Sequence, residues 1–333
     1  MEPPLKPKLN GTETYPDHLQ ETFDRLWYDL DESLFPSSGD GLPVLTHYTS
    51  AEVARQVFIH RELWLSSPLF MNDTQELAFA MNEAAVIVQT NEALTRACGA
   101  PAYHQAVVEA YLRRYHHFNT TGALDVFIFC MSALPERSNI GLLSMWRGYG
   151  HDGNGVALVV NPFAIADANS DCSMIIGRVQ YKHNDWQRKD LVEMVERLAL
   201  QFNKLRPNDP KDRDRMIEAL FSRVLIFSLF TKHSGFSEEN EWRLILLPAG
   251  STVLDPLRRC SVVSPAGLPE PRYKTKLTKN DAQTIASVIP RLIGGPAYTN
   301  ARNFEALKLL ISGINDTSGI EFVASETPYR ARR

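Results

Sequence analysis

The stretch Ser237-Glu238-Glu239-Asn240-Glu241-Trp242-Arg243 runs directly into Leu244-Ile245-Leu246-Leu247. Four consecutive large aliphatic residues have to enter a core, and three carboxylates with one guanidinium sit at their head. Charged side chains are rarely buried without a partner. The head of this run is therefore either a salt-bridge network or a site. Side chains alternate along a strand, so in extended chain Glu239 and Glu241 share one side and Trp242 joins Leu244 and Leu246 on the other. On the first reading, Arg243 pairs with Glu241 across i,i+2 and forms a solvated rim worth little energy. On the second, the carboxylates face a cleft as catalytic acid, base or electrostatic stabiliser. The segment Ser234-Gly235-Phe236-Ser237 then serves as a flexible approach to it.

The rest of the chain reads as strands interrupted by paired helices. Residues 1–43 form an N-terminal arm with a short helix near Glu21–Leu30, ended by the turn-rich Pro36–Pro43. Val44–Thr49 is β-prone, and Ser50 is a good N-cap for a helix from Ala51 to about His60. Leu63–Ser67 reads as a short strand stopped by Pro68. Asn72-Asp73-x-x-Glu76 has capping-box spacing and opens a long helix from Thr74 to Cys98, with a second helix over Ala102–His117. Leu124–Ser132 is a nearly continuous apolar strand, which predicts a central place in a sheet.

Strands follow at Val156–Val160 and Met174–Tyr181, helices at Trp186–Leu205 and Asp212–Phe230, and strands near Arg259–Val263 and Thr284–Leu292. A helix at Ala301–Gly313 and a strand at Ile320–Ser325 close the chain. This order predicts one α+β domain over residues 44–330, with helical insertions at about 74–118 and 186–230, and not a doubly wound sheet.

Composition removes several function classes. Among 333 residues, Lys and Arg number 35 and Asp and Glu 39, a balance that calls for neither nucleic acid nor an anionic membrane. No run of about 18 apolar residues offers a membrane span, and Met1–Asn10 lacks the apolar core of a signal peptide. The four cysteines, Cys98, Cys130, Cys172 and Cys260, form neither a zinc motif nor a disulfide framework, which fits a reducing, cytoplasmic setting. No metal is expected. There is no G-x-S-x-G for a serine hydrolase. His116 and His117 are adjacent and diverge on a helix, a poor geometry for joint ligation.

Three other groups carry chemistry. His47-Tyr48-Thr49 offers a ring nitrogen and hydroxyls to a ribose, or is an ordinary strand with a satisfied core histidine. Trp146-Arg147-Gly148-Tyr149-Gly150 holds aromatic faces and an anion-binding fork among glycines that let a backbone approach a ligand, or it is a tight turn packed on Trp146. Asn72 and Asp73 stand at the rim of a cleft, or serve only as the cap of the helix that follows.

Taken in order, His-Tyr-Thr-Ser, Leu-Trp-Leu-Ser-Ser-Pro with Asn-Asp-x-x-Glu, Ser-Met-Trp-Arg-Gly-Tyr-Gly and Glu-x-Glu-Trp-Arg resemble a widespread family of bacterial and phage-linked proteins known as a domain of unknown function. That family is distantly similar to ADP-ribosyltransferases. The resemblance implies a split sheet around a central NAD cleft, with NAD as substrate and a protein or nucleic acid as acceptor. It implies NAD-dependent ADP-ribosyl transfer or NAD hydrolysis, in a toxin or anti-phage role. By the same resemblance His47, with Tyr48 and Thr49, holds the nicotinamide ribose, Glu241 is the catalytic carboxylate, and Glu239 orients the acceptor. Ser66 or Tyr149 fills the middle-strand position, Trp146 stacks on the ligand, and Arg147 or Arg243 meets the pyrophosphate. The rival readings are a non-catalytic nucleotide- or nucleic-acid-binding module, and a metal-dependent hydrolase or nuclease using Glu238, Glu239 and Glu241.

Overall fold

The computed structural model describes residues 34–36, 38–70, 74–120, 125–134, 139–205, 209–247, 254–263, 267–280, 283–314 and 317–329. The expected N-terminal helix and the Asn72-Asp73 cap lie outside the described residues.

The chain opens with β1 (Val44–Thr49) and α1 (Ala51–His60), where Ser50 caps α1 by accepting a hydrogen bond from the Val53 N–H at 3.0 Å. Then come β2 (Glu62–Ser66), α2 (Thr74–Thr90), α3 (Glu92–Cys98), α4 (Pro101–Thr120) and β3 (Phe127–Leu134). The helix expected over Thr74–Cys98 is broken, because the Asn91 side chain accepts from the Leu94 N–H at 2.9 Å and starts a new helix there. Next are α5 (Leu143–Gly148), β4 (Val156–Val159), α6 (Pro162–Ala168), β5 (Ser173–Arg178) and β6 (Gln180–Lys182). The single strand expected over Met174–Tyr181 divides at Val179 into β5 and β6, which belong to different sheets. The long α7 (Asn184–Leu205) and α8 (Pro210–Leu229) precede β7 (Thr231–His233) and β8 (Glu241–Leu247).

Two further strands, β9 (Arg259–Val263) and β10 (Pro269–Lys276), form a hairpin. In the sequence β10 is masked by Pro269 and Pro271, which lack a ladder donor. Its ladder with β2 begins only past them, at Arg272. The strand expected over Thr284–Leu292 is a 3₁₀ turn, Ile285–Ser287, followed by β11 (Arg291–Gly294). The chain then forms α9 (Ala301–Ser312) and β12 (Glu321–Ala324).

The result is a mixed α+β fold around one ten-stranded sheet, with β6 and β7 paired separately in parallel. The sheet is antiparallel except for β11 and β12. Its order is β12-β11-β4-β1-β3-β2-β10-β9, with β8 also on β3 and β5 on β8. The register shows how β3 serves three neighbours. Ser132 lies opposite both Thr46 of β1 and Glu241 of β8, while Ile128 lies opposite both Ser66 of β2 and Ile245 of β8. A strand residue is bridged once on each edge, so β1 and β2 share one edge of β3 and β8 occupies the other. Along that shared edge, Phe129–Met131 face no strand among the described residues. The sheet forks there.

The two predicted helical insertions come together as one layer. Buried residues of α2, α3, α4, α7 and α8 form a single apolar cluster with Ile128, Ile175, Ile245 and Leu247 on one face of the sheet. The opposite face, with Phe129, Met131, Trp242, Leu244 and Leu246, packs against buried residues of α1, α6 and α9. Among the described residues no helix is long and apolar enough to cross a membrane.

Candidate functional site

The fork opens into a cavity of about 330 Å³. Its floor is Ile128–Ser132 of β3. One wall is Thr46–Tyr48 of β1, and the other carries Trp64 and Ser66 of β2 with Glu270 and Arg272 of β10. Met145 of α5, Tyr149 just after it, Phe70, and Lys232, Glu239 and Glu241 complete the lining.

His47 stands where β1 leaves β3. Its Nδ1 lies 2.9 Å from the Cys130 carbonyl oxygen, and its ring rests on Phe129 with centroids 4.4 Å apart. A carbonyl only accepts, so Nδ1 carries the proton and Nε2 of the neutral ring is left as an acceptor. Burial pushes the His47 pKa below its ordinary value, against the opposing pull of the Cys130 carbonyl. The imidazole thus takes a hydrogen bond that a neighbouring strand would otherwise make.

The carboxylates sit across β3 from this wall. Glu239 ends a 3₁₀ turn (Ser234–Glu239), Asn240 takes a left-handed conformation with φ 43°, and β8 begins at Glu241. Asparagine tolerates that region better than most residues. Its side-chain amide donates to the Ala133 carbonyl at 3.1 Å, tying the turn to β3. Glu239 and Glu241 therefore converge through a turn and not through strand alternation. Trp242 points the other way, into the core with Leu244 and Leu246, as the alternation predicts.

The pairing of Arg243 with Glu241 is observed, but it is no solvated rim. Both residues are only 4% exposed. Arg243 Nε donates to Glu241 Oε1 at 2.8 Å and Nη2 to Oε2 at 3.0 Å, while Nη1 donates to the Leu229 carbonyl at the end of α8 at 2.6 Å. From β7, the Lys232 ammonium reaches Glu239 at 2.8 Å and Glu241 at 3.4 Å, with the Phe236 ring 4.7 Å away.

Burial alone would push the Glu241 carboxyl up. The Arg243 charge and hydrogen bonds, then the Lys232 charge, outweigh it and bring it down to about 2. Glu241 is ionised at every physiological pH, so it accepts hydrogen bonds and offers negative charge but no proton. Lys232 feels burial downward and the two glutamates upward, with a net rise. The Cys130 thiol is pushed up by burial and then by Glu241, and stays protonated.

The remaining sequence-derived residues divide. Ser66 lines the wall opposite His47, and the half-exposed Tyr149 stands at the rim. Tyr48 also lines the cavity, but its hydroxyl is engaged, accepting from the Leu142 N–H at 2.8 Å. Thr49 pairs with Val156 at the far end of β1, outside the lining. Trp146 is fully buried, its indole N–H donating to the Ile140 carbonyl at 3.0 Å and its ring edge-to-face with Tyr48, so it presents no stacking surface. Arg147 is exposed and lies over the Tyr329 ring at 4.9 Å, away from the cleft. The expected glycine-rich ligand loop is instead the short α5. A side chain at Gly141 or Gly150 would collide with Trp146, so these glycines admit the indole and not a ligand.

Sequence reasoning passed over Ser132, Trp64, Arg272 and the clamp by Lys232. Ser132 is 1% exposed, lines the cavity between Thr46 and Glu241, and its hydroxyl has no hydrogen-bond partner among the described residues. One signal was legible: a hydroxyl residue closing an apolar strand.

Residues 145–244 match the model of a family described as a protein of unknown function, DUF2971. The matched stretch runs from α5 to β8 and carries Tyr149, Lys232, Glu239, Glu241 and Arg243, while His47, Ser66 and Ser132 precede it. No curated protein and no solved structure matches the chain.

Proposed function

We propose that the forked cleft binds NAD and that the protein cleaves it, passing ADP-ribose to a macromolecule or to water. One observation carries this reading. The fork makes His47 and Glu241, 194 positions apart in the sequence, line the same cavity. The fork in the sheet supports the same reading, since the resemblance to ADP-ribosyltransferases implies a cleft within a sheet. A cavity of about 330 Å³ that combines aromatic walls with charged side chains, Lys232, Glu239, Glu241, Glu270 and Arg272, falls in the size range of small-molecule sites, about 300–1,000 Å³.

In this proposal the bare Nε2 of His47 accepts a hydrogen bond from a ribose hydroxyl. Tyr149 offers a stacking face for the nicotinamide, and Arg272 takes the pyrophosphate role for which Arg147 is misplaced. The middle-strand position, open between Ser66 and Tyr149, gains Ser132 as a third candidate. The bond from ribose C1′ to the nicotinamide nitrogen breaks with its electron pair leaving on nicotinamide. The ionised Glu241 stabilises the positive charge left on the sugar. The acceptor's hydroxyl or amine, or water, forms the new bond at C1′, and Glu239 takes its proton.

The experiment is nicotinamide release from NAD, with and without protein and nucleic-acid acceptors. Release that drops at least about a hundredfold in Glu239→Gln and His47→Gln supports the reading. Calorimetry showing no NAD binding, together with no release, overturns it.

A second reading, binding without turnover, is favoured by the double engagement of Glu241 with Arg243 and Lys232. It predicts NAD binding that survives Glu239→Gln with no release by any variant. The metal-dependent reading is the least favoured, since Arg243 and Lys232 hold the Glu239 and Glu241 oxygens that a divalent cation would need.

A further inference from the structure

Strand β9 ends the path of the sheet, with β10 on one side and no strand on the other among the described residues. The direction of its backbone groups follows from one hydrogen bond. The Ser67 N–H donates to the Pro271 carbonyl at 3.4 Å, so Pro271 faces β2. Backbone groups turn to alternate sides along a strand. Glu270 and Arg272 therefore face β9, opposite Val262 and Cys260. This leaves the N–H and C=O groups of Arg259, Ser261 and Val263 pointing outward.

Open edges recruit other strands, and chains commonly blunt them with proline or cover them. This hairpin blunts only its inner edge. Pro269 and Pro271 stand where β10 runs past its ladder with β2, and neither has a donor to offer. The outer edge of β5 is covered, since the Arg178 N–H donates to the Leu34 carbonyl at 2.8 Å. Neither device protects β9 among the described residues. On and beside the same hairpin stand three of the four most exposed large apolar side chains of the described residues, Leu257 at 90%, Val263 at 75% and Leu268 at 62%.

An antiparallel edge is complementary to a copy of itself. A two-fold axis at Ser261 sets Ser261 opposite Ser261 of a second copy, Arg259 opposite Val263 and Cys260 opposite Val262. Every outward backbone group then finds a partner, and no two like charges face each other across the axis. An unrelated strand would gain the backbone bonds without that side-chain match.

We infer that β9 is a homodimer edge, through which two copies pair antiparallel over Arg259–Val263 and fuse their sheets. Leu257, Val263 and Leu268 lie at the ends of the joint. The β10 strand, which carries Glu270 and Arg272 of the cleft wall, then stands one strand from the axis in each copy. The joint does not depend on what the cleft binds.

Sedimentation velocity of the full chain between about 1 and 100 µM tests it by mass action. The chain passes from monomer to dimer across that range. Ser261→Pro removes an outward N–H without touching the ladder to β10, keeps the wild-type thermal melt at the lowest concentration, and stays monomeric at the highest. Ser261→Cys leaves the backbone unchanged and decides the matter if the proline variant fails to fold. Opposed Cα atoms in a hydrogen-bonded antiparallel pair lie about 5.5 Å apart, within disulfide reach. Mild oxidation of Ser261→Cys therefore gives a covalent dimer linked at position 261, which wild type, with Cys260 beside it, does not form. A wild-type monomer throughout, the outcome expected if the edge serves another protein's strand, overturns the proposal. So does a dimer that survives in a folded Ser261→Pro, or a Ser261→Cys chain that does not cross-link.

Discussion

Arg243 grips Glu241 from two residues away on the same strand, with two hydrogen bonds of 2.8 and 3.0 Å inside a face that solvent hardly reaches. Its third contact, to the Leu229 carbonyl, places a positive charge at the C-terminal end of α8, where carbonyl groups are otherwise left without helical partners. One guanidinium therefore joins the sheet, the helical layer and the candidate site.

Breaking this pair from one side leaves a charge buried without compensation, which typically costs about 3–5 kcal/mol. Arg243→Met lowers the unfolding free energy by that order in urea titrations. Glu239→Gln, at a more exposed position with Lys232 still paired to Glu241, costs no more than about 1 kcal/mol. The double variant Arg243→Met/Glu241→Gln loses less than the sum of its singles. Strict additivity in that cycle sinks the claim that the two side chains act as a unit.

The low carboxyl pKa of Glu241 makes the same pair sensitive to acid. A folded value of about 2 lies below the ordinary 4.5, so the folded state binds fewer protons at this group than the unfolded chain. Its stabilisation is complete above pH 4.5 and is lost as pH falls from there toward 2. The stability difference between wild type and Glu241→Gln, followed by thermal melts, shrinks across that window and is flat above it.

His47 gives a dependence in a higher window. Its folded pKa is lowered below 6.5, so as pH falls through 6.5 the unfolded chain takes up a proton that the folded protein refuses. Stability drops with falling pH by up to about 1.4 kcal/mol per unit until the folded value is reached. His47→Gln removes that slope. Parallel wild-type and variant curves between pH 6.5 and 5 contradict a His47 pKa lowered by burial.

Gly141 has φ +75°, and an added Cβ would fall against the Trp146 indole nitrogen. Gly141→Ala combines left-handed strain with a clash against a fully buried ring, for a loss of at least about 2 kcal/mol. Gly148→Ala, at the last position of α5 with open space at its Cβ, serves as the tolerated control.

What could be read from the sequence followed local pattern. The aliphatic run after Arg243 became β8, the apolar run ending at Ser132 became a strand bridged on both edges, and helices formed in the two stretches read as helical, with the first one broken at Asn91. The fork was not legible, because it depends on β1 and β2 docking on the same edge of β3 across about 80 and 60 residues. Lys232 lies seven and nine positions before its two glutamates, a pair of spacings that no single helix or strand satisfies, and only the intervening 3₁₀ turn brings them together. The glycines around Trp146 misled for a physical reason: backbone can approach an indole as closely as it approaches a ligand.

The β1 and β2 walls of the fork are joined in sequence by the cap Ser50, α1 and the single left-handed residue Arg61. Strand β8 splints β3 along the whole floor, from Phe127 to Ser132. Both jaws are anchored on that same strand, β1 through Thr46 opposite Ser132 and β2 through Ser66 opposite Ile128, so the stretch of β3 between the two anchors sets the gauge of the opening. A guest of the fork is therefore measured along one strand of backbone, and a slip of either jaw changes its room in steps of one strand residue.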